Sequence, residues 1–205
     1  ESHIPQDLQK IPNKIRWLIN DQVKSYPPED QLYKYCDYFK SSQSCKNLSS
    51  IDIEYDVFFN RKKKRSGGCF YTKGQNVTNP YHNSSDLSLD NIYHIPQLER
   101  NNYLSKIFNE KEYFICYSHR SFTAVLAALC GCLVIVIPYD DTPYDYWSKN
   151  FPTMKYGISY GINNINHAKD TSHLVKKNLK EFESNCNISI NTMKNNSYTW
   201  LINKY

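Results

Sequence analysis

One segment limits the architectures open to this chain more than any other: residues 113–138, YFICYSHRSFTAVLAALCGCLVIVIP. The apolar run 113–116 reads as a strand and 117–120 as a polar turn. A small-residue helix opens at Ser121-Phe122-Thr123, Gly131 breaks it, and a second apolar strand over 133–137 stops at Pro138. Strand, turn, helix, glycine and strand in that order form a βαβ unit, and strands joined through a crossover helix run parallel. In open α/β sheets ligands bind outside the carboxyl ends of the strands, where helix N-termini present free N–H groups to anions. Ser118, Ser121, Phe122 and Thr123 are therefore candidates for a phosphate seat. Ordinary N-capping by Ser121 is the competing explanation.

The rest of the pattern extends this unit. Strands are expected over 15–19 (IRWLI), 51–59, 69–72, 92–96 (IYHIP) and 157–161 (GISYG). Helices are expected over 98–108 and 170–183, with a helix start at 87–89, and residues 33–39 fit a strand or a short helix. Residues 41–50 and 142–152 read as loops. Strands alternating with helices imply a parallel sheet, so the expected fold class is α/β, a Rossmann-like parallel sheet flanked by helices. A chain of 205 residues suits one such domain with part of a second. The expected division is residues 1–60 as an N-terminal extension or remnant of a preceding lobe, packed on the core, and residues 61–205 as the Rossmann-like domain.

Composition narrows the function classes. A net charge of +5 suits an anionic ligand but is mild for a dedicated nucleic-acid binder. The one basic cluster, Arg61-Lys62-Lys63-Lys64-Arg65, reads as a solvated loop between strands, with a polyanion patch as the alternative. Of the seven Cys, three lie in the βαβ unit, where a thiol behaves as a small hydrophobe. An odd count points to a reducing, cytoplasmic setting. Cys130-Gly131-Cys132 lacks zinc-knuckle spacing, so no metal is expected. Five glycosylation sequons, at Asn47, Asn76, Asn83, Asn187 and Asn195, are what an Asn- and Ser-rich chain shows by chance. No signal peptide and no membrane span are read.

Further candidates sit near inferred strand ends. Lys73-Gly74 follows the strand at 69–72, where Lys neutralises phosphate and Gly admits a close backbone approach. Asp140-Asp141 follows the strand at 133–137, where paired carboxylates can hold a divalent cation against a diphosphate. The adjacency of the two acids and the PYDDTP context equally describe a solvated turn. His82, His94, His119, His167 and His173 show no paired-ligand spacing, and no GxSxG, Walker or GxGxxG motif occurs.

Taken in order, RSGGCFYTKG (65–74), CYSHRSFT (116–123), AALCGCLVIVIP (127–138) and FPTMKYGISYG (151–161) resemble the nucleotide-sugar-binding, C-terminal half of GT-B glycosyltransferases, which are built from two Rossmann lobes. The likeness is to a group found in bacterial polysaccharide clusters and in large DNA viruses, and it spans about residues 60–170. Arg16-Trp17-Leu18 is similar to that group's inter-domain region. The resemblance implies a donor diphosphate at Ser121, Phe122 and Thr123, with Lys73 and Gly74 beside it. It places the base or ribose near the loops after Pro96 and Cys116, with Tyr117 as a stacking partner. Ser118 stands where the group tends to carry Asp. The implied partners are a nucleotide-sugar donor, UDP-sugar ahead of GDP- or dTDP-sugar, and a glycan acceptor, with no nucleic acid. The implied location is the cytoplasm, that of the host if the protein is viral. No cofactor and no metal are implied, because helix dipole and basic side chains stabilise the departing diphosphate. The usual acceptor lobe and catalytic base precede this half, and here only residues 1–60 do. An excised domain, a compact enzyme and one lobe of a larger assembly or homo-oligomer all remain open. So do two rival functions: a metal-dependent GT-A enzyme using Asp140 and Asp141, and a non-catalytic polyanion- or partner-binding domain using the basic loop.

Overall fold

The structure, a computed structural model, describes residues 14–18, 26–37, 41, 43–71, 89–91, 100–138 and 141–202. The chain divides into two compact units. One comprises Glu1–Asp52 with Glu183–Tyr205, the other Ile53–Phe182.

In the first unit β1 (Ile15–Leu18), β2 (Gln31–Lys34) and β3 (Lys46–Asn47) form a parallel sheet in that order. Ile15 pairs with Gln31 and Tyr33 with Lys46. Leu18, Tyr26 and Leu32 make its apolar core, with Cys45 against them. A buried ion pair holds the start of β1. The Asp30 side chain, 1% exposed, accepts from Arg16 Nε at 2.5 Å and from the Lys14 backbone N–H at 2.8 Å. Burial raises the Asp30 pKa, but the Lys14 N–H and the Arg16 guanidinium outweigh it and hold the carboxyl below its ordinary value of 3.8. The pair therefore stabilises fully above that value and is lost as pH falls through the lower folded-state pKa. Asp30→Asn should cost about 2 kcal/mol at pH 7, and less as acid titrations approach pH 2. Equal denaturation midpoints for variant and wild type at pH 7 would contradict this.

The second unit holds β4 (Gly68–Tyr71), β5 (Leu89–Asn91), β6 (Tyr113–Cys116), β7 (Leu133–Val136) and β8 (Ile158–Tyr160). They form one five-stranded, wholly parallel sheet in the order β5-β4-β6-β7-β8. Its helices, among the described residues, are α1 (Arg100–Glu110), α2 (Phe122–Cys130), α3 (Tyr144–Asn150), α4 (Ile165–Thr171) and the first eight residues of α5 (Val175–Ile202), whose remainder belongs to the first unit. β6 and β7 are buried over their last three residues, as strands covered on both faces must be. Phe108, Phe114, Ala124, Val125, Val134, Val136 and Leu179 are all at 0% exposure in this core. The α/β class with parallel sheets flanked by helices is what the sequence pattern indicated. Gly131 closes α2 at φ 94°, and the Gly131 and Cys132 N–H groups bond back to Ala128 and Ala127, a glycine C-cap.

Five local expectations are corrected. Residues 41–50 are not wholly a loop, since Lys46 and Asn47 pair in parallel with Tyr33 and Lys34 as β3. Residues 51–59 are not a strand, because their polar groups are taken by α1. Ser105 Oγ donates to Val57 O at 2.5 Å and Asn109 Nδ2 donates to Phe59 O at 3.0 Å, while the Val57 and Phe58 N–H groups turn back to Glu54. Residues 142–152 are not wholly a loop, since α3 starts directly after Pro143, which takes the N-cap position with extended dihedrals (φ −65°, ψ 147°). Leu89 belongs to a strand rather than to a helix start. The helix expected over 170–183 starts at Val175, after the end of α4 and a 3-10 turn at Ser172–Leu174, and runs to Ile202. Leu179, Cys186, Met193 and Trp200 recur every seventh residue along it, the first two buried. The expected strand at 92–96 lies outside the described residues.

The basic loop is corrected in part. Arg65 donates to the Phe108 carbonyl, to Lys111 O at 3.1 Å and to Cys130 O at 2.5 Å, so one guanidinium serves the carboxyl ends of both α1 and α2. Arg61 gives its backbone N–H to Asn109 Oδ1 at 2.7 Å and stacks on Phe59, 5.3 Å from the ring centroid. Only Lys62, Lys63 and Lys64 are simple exposed cations.

Candidate functional site

The strand order reverses between β4 and β6. From β4 the chain passes outward to β5, then returns across β4 to β6, and continues to β7 and β8 on the far side. At such a switch point the two following loops leave the sheet in opposite directions and open a crevice at the carboxyl edge. Tyr71 and Cys116 are register partners at the ends of these two strands, so the two strand ends lie side by side at the carboxyl edge. The residues after Cys116 are Tyr117, Ser118, His119, Arg120 and Ser121, and then α2 begins.

Ser121 occupies the N-cap position with extended dihedrals (φ −80°, ψ 121°), yet it makes no side-chain cap bond. Its N–H bonds to Ser118 O at 3.1 Å, and its carbonyl accepts from Ala124 N–H at 3.1 Å. The capping explanation for Ser121 therefore fails on geometry. By helix geometry the N–H groups of Phe122 and Thr123 have no intrahelical acceptor. Ser118, Ser121, Phe122 and Thr123 are half-buried and share this corner. Beneath them lies the Cys116 thiol, which donates to Ser118 O at 3.2 Å. Burial pushes its pKa up to about 12, more than the bonds from Ser118 and the Ser121 hydroxyl lower it. It is a neutral floor group.

Tyr117 is 6% exposed and packs edge-on with Phe70 at 6.4 Å between centroids. Buried in this way, it does not present an open ring face. Lys73, Gly74, Pro96 and Asp140 lie outside the described residues. Asp141 is exposed, and among the described residues no three His, Cys, Asp or Glu side chains converge to hold a metal. No disulfide forms among the described cysteines, and no helix of the described residues is long and apolar enough to cross a membrane.

Sequence reasoning missed the group that positions the loop. Trp147, fully buried on α3, donates its indole N–H to His119 O at 2.6 Å. Its ring lies 4.7 Å from that of Tyr160 at the end of β8, and Tyr160 donates its hydroxyl to Thr142 O at 2.5 Å. His119, at 0% exposure, meets Tyr160 edge-on at 6.2 Å. The loops after β6 and β7, α3 and the end of β8 are thereby joined through one aromatic cluster. In a chain with 18 Tyr nothing marked Tyr160, and the loop reading of 142–152 hid Trp147.

Comparison with protein families, with curated proteins and with solved structures found no match.

Proposed function

We propose that Ile53–Phe182 is the donor-binding part of a GT-B glycosyltransferase, which transfers a sugar from a nucleotide diphosphate-sugar to a glycan hydroxyl. The observation that carries the reading is the coincidence of the strand-order reversal at β4 and β6 with a helix start whose cap side chain is not used on the helix. The diphosphate would lie against the N–H groups of Phe122 and Thr123, with the hydroxyls of Ser118, Ser121 and Thr123 beside it. The positive end of α2 stabilises the leaving diphosphate without a metal. Arg120, in the same loop, adds charge, and Lys73 is the further partner expected from the resemblance. The neutral Cys116 thiol takes no part as nucleophile, since the thiolate is the reactive form. The companion lobe, in this reading, belongs to the N-terminal side of the chain.

A thermal-shift panel of UDP-, GDP- and dTDP-sugars tests this. A donor at about 100 times its dissociation constant should add about 2.7 kcal/mol of stability; at equal concentrations UDP-sugars should give the largest shift, and Thr123→Ala or Lys73→Ala should remove most of it. EDTA should leave it intact, whereas a GT-A enzyme relying on Asp140 and Asp141 would lose it. No response to any donor sinks the proposal.

A further inference from the structure

A second recess lies at the opposite, amino edge of the same sheet, where α2 ends and α5 begins. Its volume is about 530 Å³, within the range of small-molecule sites. Its floor is apolar, formed by Ala128, Leu129 and Val175, and its rim carries Asn60, His173 and Lys176. Val175 can sit where it does because Gly157, at φ +69°, has no Cβ: one would stand 2.4 Å from Val175 Cγ2 and 3.6 Å from Ala128 Cβ.

The polar rim has one sign. Asn60 Oδ1 already accepts from Arg65 Nη2 at 3.1 Å and from Lys62 N–H at 2.9 Å, so its Nδ2 is the end left to donate. Lys176 offers three N–H donors and a full charge. No carboxylate lines the recess, and neither Lys176 nor His173 is in an ion pair among the described residues. Donors and positive charge above an apolar floor select a ligand with an anionic head and a compact apolar body.

We propose that this recess binds a small amphipathic organic anion, a carboxylate or phosphate ester on an aromatic or branched apolar group, apart from the carboxyl-edge crevice. The test uses 8-anilinonaphthalene-1-sulfonate as probe, titrated by fluorescence on the full chain. One probe should bind per chain. Lys176→Glu should weaken it about tenfold or more, and Ser172→Trp, which places an indole at the rim, should displace it. Lys177→Glu makes the same charge change beside the recess and should bind the probe as wild type does. Both rim positions are exposed, and melting curves report whether each variant folds; should Lys176→Glu fail to fold, Lys176→Gln replaces it with the same expectation. The proposal is overturned if no probe binds, if Lys176 and Lys177 variants weaken it equally, or if Ser172→Trp binds it unchanged.

Discussion

Replacing Arg65 with methionine should destabilise the unit Ile53–Phe182 by about 3 kcal/mol, the largest effect expected from any residue of the basic loop. Methionine keeps part of the aliphatic stem and removes every donor. The carbonyls of Phe108, Lys111 and Cys130 then lose their shared partner at once. The Asn60 and Asn109 side-chain oxygens, which accept from the same guanidinium at 3.1 and 3.5 Å, lose a further contact. The Cys132 thiol, a weak donor, still reaches the Phe108 and Lys111 carbonyls at 3.0 and 3.3 Å, but under-satisfied acceptors at two helix ends cost more than an exposed cation contributes. Lys63→Met, on an exposed neighbour, should melt as wild type does. Denaturant titration with hydrogen exchange at the ends of α1 and α2 separates the two outcomes. If Arg65→Met and Lys63→Met behaved alike, the loop would be the uniformly solvated run that its composition suggests.

Phe122→Pro should abolish most of the donor-induced stabilisation while leaving the helix in place. Pro is favoured at the first helical position, where the missing N–H has no intrahelical partner. It also requires an extended residue before it, and Ser121 already has ψ 121°. The substitution therefore removes one amide from the proposed diphosphate seat at little conformational cost. Losing one hydrogen bond to a charged group amounts to about 1.5–3 kcal/mol, or roughly tenfold to a hundredfold in dissociation constant. Phe122→Ala is the control, because it deletes the ring and retains the N–H. Isothermal titration with the best donor from the thermal-shift panel gives both constants. Equal weakening in the two variants would assign the effect to the ring and remove the backbone seat from the mechanism.

The candidate site was legible in the sequence only where it is local. Ser118, Ser121, Phe122 and Thr123 are close in the chain, and the apolar runs on either side place them at one strand end. The long-range partners of that corner were not legible. Trp147 reaches His119 across 28 positions, and Tyr160 reaches Thr142 across 18. Neither contact has a periodic signature, because a hydrogen bond to a backbone carbonyl imposes no residue type on the acceptor. The strand expected over 51–59 failed for a related reason. Alternating apolar residues satisfy a strand pattern, but Ser105 and Asn109 of α1 compete for the same backbone groups, and a buried backbone group needs only some partner.

The linear order of apolar runs, turn residues and Gly131 was enough to determine that this chain builds parallel strands with covering helices. Each of those features acts over a few residues, through dihedral preference and the removal of side chains from water. Which strands became neighbours was decided only in three dimensions. Cys69 pairs with Phe114, and Val134 with Ile158, because the sheet must bury both faces at once. The same global packing brought one arginine to two helix ends and set the reversal of strand order beside the start of α2. Hydrophobic burial is non-directional: a sequence states which groups leave water, while the assembled sheet determines what they meet.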